Sequence, residues 1–190
     1  MLTSLSLANA NFVTEWLLVG GDLATDEQTA ASQLHELLQA GVTHIFDARI
    51  EWSDEPFVRS LAPAISYRHQ GMDDVGQRVP ASYFEQAVEY VQSAAQAGGV
   101  VLAHCHMGIN RGPSVGFAAL LAQGVDPIQA LDQIRAARSI AWVAYAEDAL
   151  RWYHQSRRTP RQLATDLSRV ARWREANKLD LAQVIRQKRR

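Results

Sequence analysis

The chain has 190 residues and 47% hydrophobic content, which suffice for one well-buried domain with an appendage. Its net charge of −1 hides a division: residues 157–190 hold eleven basic and three acidic residues (+8), whereas residues 1–156 hold eight basic and 17 acidic ones (−9). No apolar run has the length of a membrane span, and the single cysteine excludes an internal disulfide.

The spacing of apolar residues predicts alternating strands and helices in the first part of the chain. A helix over 27–40 carries Leu34, Leu37 and Leu38 on one face, and Gly41 ends it. The other predicted elements are a hairpin arm over 12–21, strands over 42–48 and 65–70, a loop over 49–63 with a short helix at 55–61, a helix that begins at Pro80, and a strand over 99–103.

The second part predicts only helices. Residues 113–123 are mostly apolar behind Pro113, and Asp126 with Pro127 begins a helix that runs to about Arg138. After a connector at 139–142, further helices are predicted up to Ser156, over 160–173 and over 181–189. The apolar faces of the last two need a partner, either the body of the protein or a second chain; they consist of Leu163, Leu167, Val170 and Trp173, and of Leu181, Val184 and Ile185.

This order of elements predicts an α/β fold with a central, mainly parallel sheet flanked by helices. We expect one domain over residues 1–156 and a basic, helical C-terminal extension over 157–190. Open sheets of this kind bind ligands past the carboxyl ends of their strands. The segment that follows the strand at 99–103 is therefore the candidate site.

That segment, residues 104–111, reads His-Cys-His-Met-Gly-Ile-Asn-Arg and holds the only cysteine. A strand, a glycine-containing loop and a helix together bind anions, because loop N–H groups point inward near the positive end of the helix dipole. Such a loop favours Cys105 as a thiolate that attacks phosphorus and forms a phosphocysteine, while Arg111 holds two phosphate oxygens in a fork. His104 would keep the thiolate poised by hydrogen bonds to nearby carbonyls. The residues predicted to surround the phosphate are His106, Met107, Gly108, Ile109 and Asn110.

Two other interpretations of Cys105 compete with this one. A lone cysteine after a buried strand is commonly a small apolar core residue. Zinc could be held at residues 104–106, but adjacent residues of an extended backbone point opposite ways and no second Cys/His cluster follows. The spacing from cysteine through glycine to arginine favours the phosphate loop, and neither a metal nor another cofactor is expected.

The loop resembles that of the dual-specificity protein phosphatases, within the wider Cys-x5-Arg protein tyrosine phosphatase class. The similarity spans roughly residues 12–156 and includes Tyr83 and Phe84 at the start of a helix. It implies a protein-tyrosine-phosphatase-like fold and a general acid on a mobile loop ahead of that helix. The family's usual interval falls on Asp74, with Asp73 in reserve; the acid protonates the leaving oxygen and later activates water.

The chain departs from the family in the second half of the loop. Gly112 stands where most members carry Ser or Thr, whose hydroxyl helps the sulfur to leave, so the second chemical step is in question. Ser114 is a displaced substitute for that hydroxyl. Asn110 stands where members often carry Ser, and the absence of lysine from the loop weakens an inositol-phosphate substrate.

Residues outside the loop have open assignments. Arg49 either contacts substrate or pairs with Asp47 or Glu51. Ser139 lies in a predicted flanking loop where it could orient a site residue, and Arg78 is either a solvated charge or a contact for a negatively charged flank of the substrate.

We therefore predict a phosphatase for phosphotyrosine that also accepts phosphoserine and phosphothreonine. Alternatives are a phosphatase for a nucleotide, an RNA 5′ end or an inositol phosphate, a catalytically impaired phosphate-binding module, and, more distantly, a rhodanese-like sulfurtransferase. The basic extension predicts docking on the acidic body or an acidic partner. The lone cysteine and the start at residues 1–7, which lacks the basic residues of a secretory signal, predict a cytoplasmic protein.

Overall fold

The structure is a computed structural model that describes residues 4–188, except for the side chains of Leu181, Ile185, Gln187 and Lys188. Strands and helices alternate in the first part of the chain, and helices follow one another in the second. The elements in order are β1 (Ala10–Phe12), β2 (Leu17–Gly20), α1 (Glu27–Gln39), β3 (Val42–Asp47), α2 (Glu55–Leu61), β4 (Ser66–His69), α3 (Ala81–Gln96), β5 (Val100–His104), α4 (Arg111–Ala122), α5 (Pro127–Ala137), α6 (Ala146–Ser156), α7 (Pro160–Ala176) and α8 (Leu181–Lys188).

The sheet has the strand order β1-β2-β5-β3-β4, and β1 is its one antiparallel member. Strand β5 lies at the centre, where Gly20 of β2 and Asp47 of β3 stand opposite His104. The residues that follow these three strands therefore meet at one edge of the sheet. The predicted α/β fold with a mainly parallel, helix-flanked sheet is confirmed.

Both faces of the sheet are covered, which explains why β2 and the central β5 are near-continuous apolar runs rather than alternating ones. Helices α1 and α2 cover one face, and α3 and α4 cover the other. Helix α4 is buried along its whole length up to Leu121, since α5 and α6 pack on its outer side. The residues that face α1 and α2 are Leu18, Ile45 and Leu102, and those that face α3 and α4 are Leu17, Val19, Phe46, Val101 and Ala103.

The predicted start of α5 at Asp126 and Pro127 is confirmed, whereas α3 begins at Ala81, one residue after the predicted Pro80. The carboxylates of Asp26 and Asp126 accept hydrogen bonds from backbone N–H groups in the first turns of α1 and α5. Helix α4, however, begins at Arg111, two residues before the predicted start at Pro113. Proline is tolerated anywhere in the first turn, because N–H groups there have no partner within the helix. Arg111 thus belongs to the helix rather than to the loop.

The C-terminal helix α7 ends at Ala176, three residues later than predicted, and packs on the body of the protein. Val170 and Trp173 are buried in the main hydrophobic core, and Leu163 and Leu167 are partly buried against it. The side chains of Leu181 and Ile185 and the predicted helix end at residue 189 lie outside the described residues. Among the residues that are described, no helix combines the length and apolar character that a bilayer span requires.

The end of β3 is fixed by a buried ion cluster around Arg49, whose side chain is fully inaccessible to solvent. Its Nε and Nη2 donate to the Asp47 carboxylate at 2.9 and 2.8 Å, and Nη2 also donates to Asp54 at 2.7 Å. The Tyr67 hydroxyl adds a hydrogen bond to Asp47 at 2.7 Å. Arg49 therefore pairs with Asp47, one of its two predicted partners, and holds the edge of the sheet beside the candidate site.

Replacing Arg49 with Met should destabilise the fold strongly, because it leaves two carboxylates at the cluster without their cation. We expect the free energy of unfolding in urea to fall by about 3–5 kcal/mol. The control is Arg59→Met, which removes an exposed ion pair with Glu55 on α2 and should cost below about 1 kcal/mol. Equal losses in the two variants would contradict a structural role of the cluster.

Candidate active site

The loop after β5 turns five successive carbonyl groups, those of residues 106–110, away from its centre. Each of them accepts a hydrogen bond, and the donors come from four different parts of the protein. Because the C=O and N–H of one trans peptide unit point in opposite directions, the N–H groups of residues 107–111 face inward. The bonds are Asp22 N to His106 O (3.1 Å), Arg138 Nη2 to Met107 O (2.8 Å), Arg138 Nε to Gly108 O (2.7 Å), Trp142 N and Val143 N to Ile109 O (2.7 and 3.1 Å), and Ser114 N and Oγ to Asn110 O (2.8 and 2.7 Å).

Cys105 begins this loop and is almost completely buried, with its N–H bonded to Gly20 O at 3.2 Å. The inward N–H groups of the loop have no acceptor within the described part of the chain, and the N-terminus of α4 adds its dipole. The loop is thus a concave anion site with a sulfur at its edge, as the sequence predicts.

Two glycines allow the loop to be this tight. Gly108 has φ +65°, and a Cβ there would lie 2.5 Å from the carbonyl carbon of Gly20 and 2.6 Å from Arg138 Nε. A Cβ on Gly112 would lie 2.8 Å from Ala103 O and from the His104 backbone. The first turn of α4 therefore touches the end of β5 directly.

The guanidinium of Arg111 is buried and oriented by a carboxylate that the sequence did not assign to it. Its Nη1 and Nη2 donate to the two oxygens of Glu51, each at 2.8 Å, and Nη1 also donates to Met72 O at 3.1 Å. The bond to Arg111 lowers the pKa of Glu51 to about 2. A guanidinium has five N–H donors. The two of Arg111 that these acceptors do not use are Nε–H and one N–H of Nη2, which lie on the same edge of the group. The buried Nε has no hydrogen-bond partner in the described residues, although the Asp74 carboxylate lies 3.7 Å from it. An edge with two parallel N–H donors is the arrangement that can hold two phosphate oxygens in a fork.

Asp74, rather than Asp73, lies against the loop. The Asp74 carboxylate accepts hydrogen bonds from the Tyr145 hydroxyl at 2.9 Å and from Asn110 Nδ2 at 3.2 Å, and lies 3.7 Å from Arg111 Nε. Burial, with a smaller effect of Asp74, raises the pKa of Tyr145 to about 12, so this hydroxyl stays a donor. Asp73 is exposed and contributes its backbone carbonyl to Tyr145 and Gln77.

The two histidines beside the cysteine have different surroundings. His104 is buried with Nε2 3.7 Å from Asp47, and the predicted hydrogen bonds of its ring to carbonyls are absent among the described residues. Burial lowers the pKa of His104 although Asp47 opposes the shift, which favours a neutral ring. His106 is half exposed; its Nδ1 lies 2.7 Å from Asp22, and its ring packs edge-on against Trp52.

The polar residues predicted around the loop have other tasks. The Ser114 hydroxyl donates its one hydrogen to Asn110 O and accepts a hydrogen bond from Tyr145 N. It therefore has no hydrogen left to donate to Cys105. Ser139 is exposed, and its neighbour Arg138 holds the loop instead. Arg78 is exposed and pairs with Asp148 at 2.8 Å.

Sequence reasoning missed three residues of this site: Glu51, Arg138 and Tyr145. Glu51 follows β3. Because β3 and β5 are neighbours in a parallel sheet, the residues after β3 lie beside the loop after β5, and this adjacency could have indicated Glu51. The sequence pattern places Arg138 only at the end of a predicted helix, beside the flanking loop of Ser139. Nothing in the local pattern around Tyr145 connects it with Asp74, 71 residues away.

Comparisons with known proteins place this geometry in context. Residues 25–145 match the family model for the dual specificity phosphatase catalytic domain. Dual specificity protein phosphatase 19 of Mus musculus is 28% identical over 110 residues, which are 58% of this chain and 45% of the mouse protein. Dual specificity protein phosphatase 1 of Arabidopsis thaliana is 29% identical over 117 residues, 59% of this chain and 54% of that protein. The chain thus spans about half the length of these relatives.

A solved structure supports the fold. The mouse putative dual specificity phosphatase complexed with zinc tungstate superimposes with a TM-score of 0.66 at 19% identity, and the match covers 84% of this chain and 97% of that one. Helices α6, α7 and α8 lie beyond the 25–145 range of the family model.

The contact between α4 and β5 makes Gly112→Ala a sharp test of the packing. The added methyl would press on backbone atoms, and we expect the free energy of unfolding to fall by about 1–3 kcal/mol. The comparison is Gly116→Ala in the same helix, where the methyl meets a side-chain atom, Cγ1 of Val19, rather than backbone. A gain in helix propensity of up to about 1 kcal/mol offsets that contact. If Gly112→Ala is as stable as Gly116→Ala, the close approach is not a constraint.

Proposed function

The chain belongs to the dual specificity phosphatase family, and from this membership we propose that it is a cysteine-dependent phosphomonoester hydrolase. We propose phosphotyrosine in proteins as its main substrate, with phosphoserine and phosphothreonine accepted as well. The single observation that carries the proposal is the loop of residues 106–110 with every carbonyl turned outward, which leaves inward N–H groups beside Cys105 and the free edge of Arg111.

In the first step, the Cys105 sulfur attacks phosphorus while the bond from phosphorus to the ester oxygen breaks. Asp74 acts as the general acid that gives its proton to this leaving oxygen. The phosphoryl oxygens are bound by the loop N–H groups and by Nε and Nη2 of Arg111. The positive charges of Arg111 and Arg138 both attract negative charge at Cys105, which supports the thiolate as nucleophile.

In the second step, water attacks the phosphorus of the phosphocysteine, and the bond from phosphorus to sulfur breaks. The Asp74 carboxylate takes the proton of the water, and inorganic phosphate and the thiolate are released. Tyr145 and Asn110 support this role, because their hydrogen bonds hold the carboxylate above the loop.

The second candidate function is a phosphate-binding module that turns over slowly. It is supported by Gly112 together with Ser114, since the first has no hydroxyl and the second has its hydrogen committed to Asn110. The departing sulfur then lacks a hydroxyl donor. The two candidate functions differ in the rate of the second step and not in the ability to form phosphocysteine.

The basic C-terminal segment is proposed to dock on the acidic body of its own chain. Ion pairs of Arg169 with Asp126 at 2.8 Å and of Arg174 with Glu147 at 2.9 Å support self-docking over an acidic partner. The phosphorylated protein or peptide is then the one partner that the site itself requires.

The catalytic assignments can be tested with two substrates that differ in their leaving groups. Cys105→Ser should abolish hydrolysis of both, and Asp74→Asn should lower kcat about 100-fold or more for a phosphotyrosyl peptide. The loss should be smaller for p-nitrophenyl phosphate, since p-nitrophenolate leaves without a proton. The control Asp73→Asn should remain within about twofold of the wild type. Full activity of Cys105→Ser, or equal losses in the two aspartate variants, would refute these roles.

The rate of the second step can be measured by rapid mixing with p-nitrophenyl phosphate. Because no hydroxyl assists the sulfur, we expect a burst of p-nitrophenol equal to the enzyme concentration, followed by a slower steady rate. A linear time course from the first turnover would argue against the slow-turnover candidate.

The substrate class can be decided with a panel of phosphotyrosyl, phosphoseryl and phosphothreonyl peptides, a nucleotide, an RNA 5′ end and an inositol phosphate, with Cys105→Ser as the blank. We expect the highest kcat/KM for a phosphotyrosyl peptide. A higher value for any of the last three substrates would overturn the protein substrate while leaving the phosphocysteine chemistry intact.

A further inference from the structure

A short connector, residues 142–144, lies between the phosphate loop and helix α7. On the side of the loop, Trp142 N and Val143 N both donate to Ile109 O, at 2.7 and 3.1 Å. On the other side, the three consecutive carbonyls of the connector all accept from one guanidinium, that of Arg174 in α7. The distances are 3.3 Å from Nη1 to Trp142 O, and 2.8 and 3.2 Å from Nη2 to Val143 O and Ala144 O.

Arg174 is itself firmly oriented. Its Nε and Nη2 donate to the two carboxylate oxygens of Glu147, each at 2.9 Å, and its guanidinium lies 5.0 Å from the centre of the Trp142 ring. Only 15% of its side chain is accessible to solvent. A planar group that is fixed in this way presents donors in a set direction, so the connector carbonyls have little freedom to rotate.

The connector needs such restraint because Val143 has φ +55°. A β-branched residue adopts this region only when its surroundings hold it there. Val143 is buried, and its peptide groups are bonded to Ile109 on one side and Arg174 on the other. The strained backbone is therefore held between the phosphate loop and α7.

The connector also leads directly to the residue that touches the general acid. Tyr145, the next residue in the chain, donates its N–H to the Ser114 hydroxyl at 3.2 Å and its own hydroxyl to Asp74 at 2.9 Å. A shift of the connector would thus reach the phosphate loop through Ile109 and the acid through Tyr145.

We propose that Arg174 is a positioning residue for catalysis, by which helix α7 holds the phosphate loop and the general acid in their working geometry through residues 142–145. The inference rests on the proposed phosphatase function. Without Arg174, Val143 can relax and withdraw the two N–H groups from Ile109 O. That carbonyl is then no longer held outward, so the N–H of Asn110, which belongs to the same peptide unit, is no longer aimed at the phosphate.

The test is Arg174→Met in the full chain, which keeps the aliphatic stem and removes the donors. We expect kcat/KM for a phosphotyrosyl peptide to fall about tenfold, chiefly in kcat, and the affinity for tungstate to fall by a similar factor. In the control Arg172→Met, on the same helix, the arginine is exposed and bonded only to Ser168 O, and both quantities should stay unchanged. Glu147→Gln keeps the three connector bonds and should lose less than Arg174→Met.

The variant Leu167→Ala distinguishes a positioning role of Arg174 from a purely structural one. It weakens the packing of α7 without changing a residue that contacts the connector. Assayed well below its melting temperature, this variant should keep the kcat of the wild type, whereas Arg174→Met should not. If Arg174→Met keeps the kcat and tungstate affinity of the wild type, or if Leu167→Ala loses as much as Arg174→Met at equal stability, the proposal is overturned.

A second measurement needs no variant. Coupling between two sites is reciprocal, so tungstate bound in the loop must stabilise the connector if the connector stabilises the loop. We expect slower hydrogen exchange at the N–H groups of Trp142 and Val143 when tungstate is added, and no change would overturn the inference. The proposed function is decided separately, by the turnover of the wild type. If the wild type binds tungstate but hydrolyses no phosphate ester, the phosphatase proposal is refuted. The tungstate affinity of Arg174→Met then still tests the role of Arg174.

Discussion

The structure depends on one constraint: the carbonyls of residues 106–110 must all point away from the centre of the loop. A loop does not hold five aligned peptide dipoles by itself, since parallel dipoles repel and each outward carbonyl needs a donor. The donors come from the residue after Gly21, from Arg138 behind α5, from the connector at 142–143, and from Ser114 in α4. The anion site is therefore a property of the whole α/β arrangement and not of the loop sequence alone.

Three buried arginines at this edge of the sheet differ in how their charges are balanced, and the difference matches their tasks. Arg49 has two carboxylates within 2.8 Å and acts in the fold. Arg111 is hydrogen-bonded to one, Glu51, on one edge, and on its other edge Asp74 lies 3.7 Å from Nε without a hydrogen bond, so that edge keeps donors for an anion. Arg138 donates to Met107 O, Gly108 O and asparagine oxygens, and within the described residues no carboxylate pairs with it. Burial lowers the pKa of Arg138, but not enough to discharge a guanidinium, so its charge remains available to the sulfur.

The sequence predicts the parts of the site that are local. The interval from Cys105 to Arg111 lies within one loop, and strand and helix signals on either side suffice to recognise it. The prediction places the start of α4 at Pro113, two residues late, because every position of the first helical turn accepts proline and the residue therefore does not mark the start. Glu51 and Tyr145 could not be assigned, because their contacts depend on which strands are neighbours and on how a connector folds back, and neither is encoded in short-range periodicity.

Gly112 connects the packing of the fold with the chemistry of the sulfur. Its missing Cβ lets the first turn of α4 rest on the last peptide of β5, which brings the positive end of the helix towards Cys105. Because glycine stands where most family members carry Ser or Thr, the hydroxyl that would assist the departing sulfur is also missing. The charges of Arg111 and Arg138 and the inward N–H groups create a positive field at the Cys105 sulfur. In the proposed mechanism this field favours the sulfur as a leaving group, and a thiolate that leaves more readily is a weaker nucleophile. Fixed charge can therefore replace part of what the hydroxyl does, at the expense of the rate of the first attack.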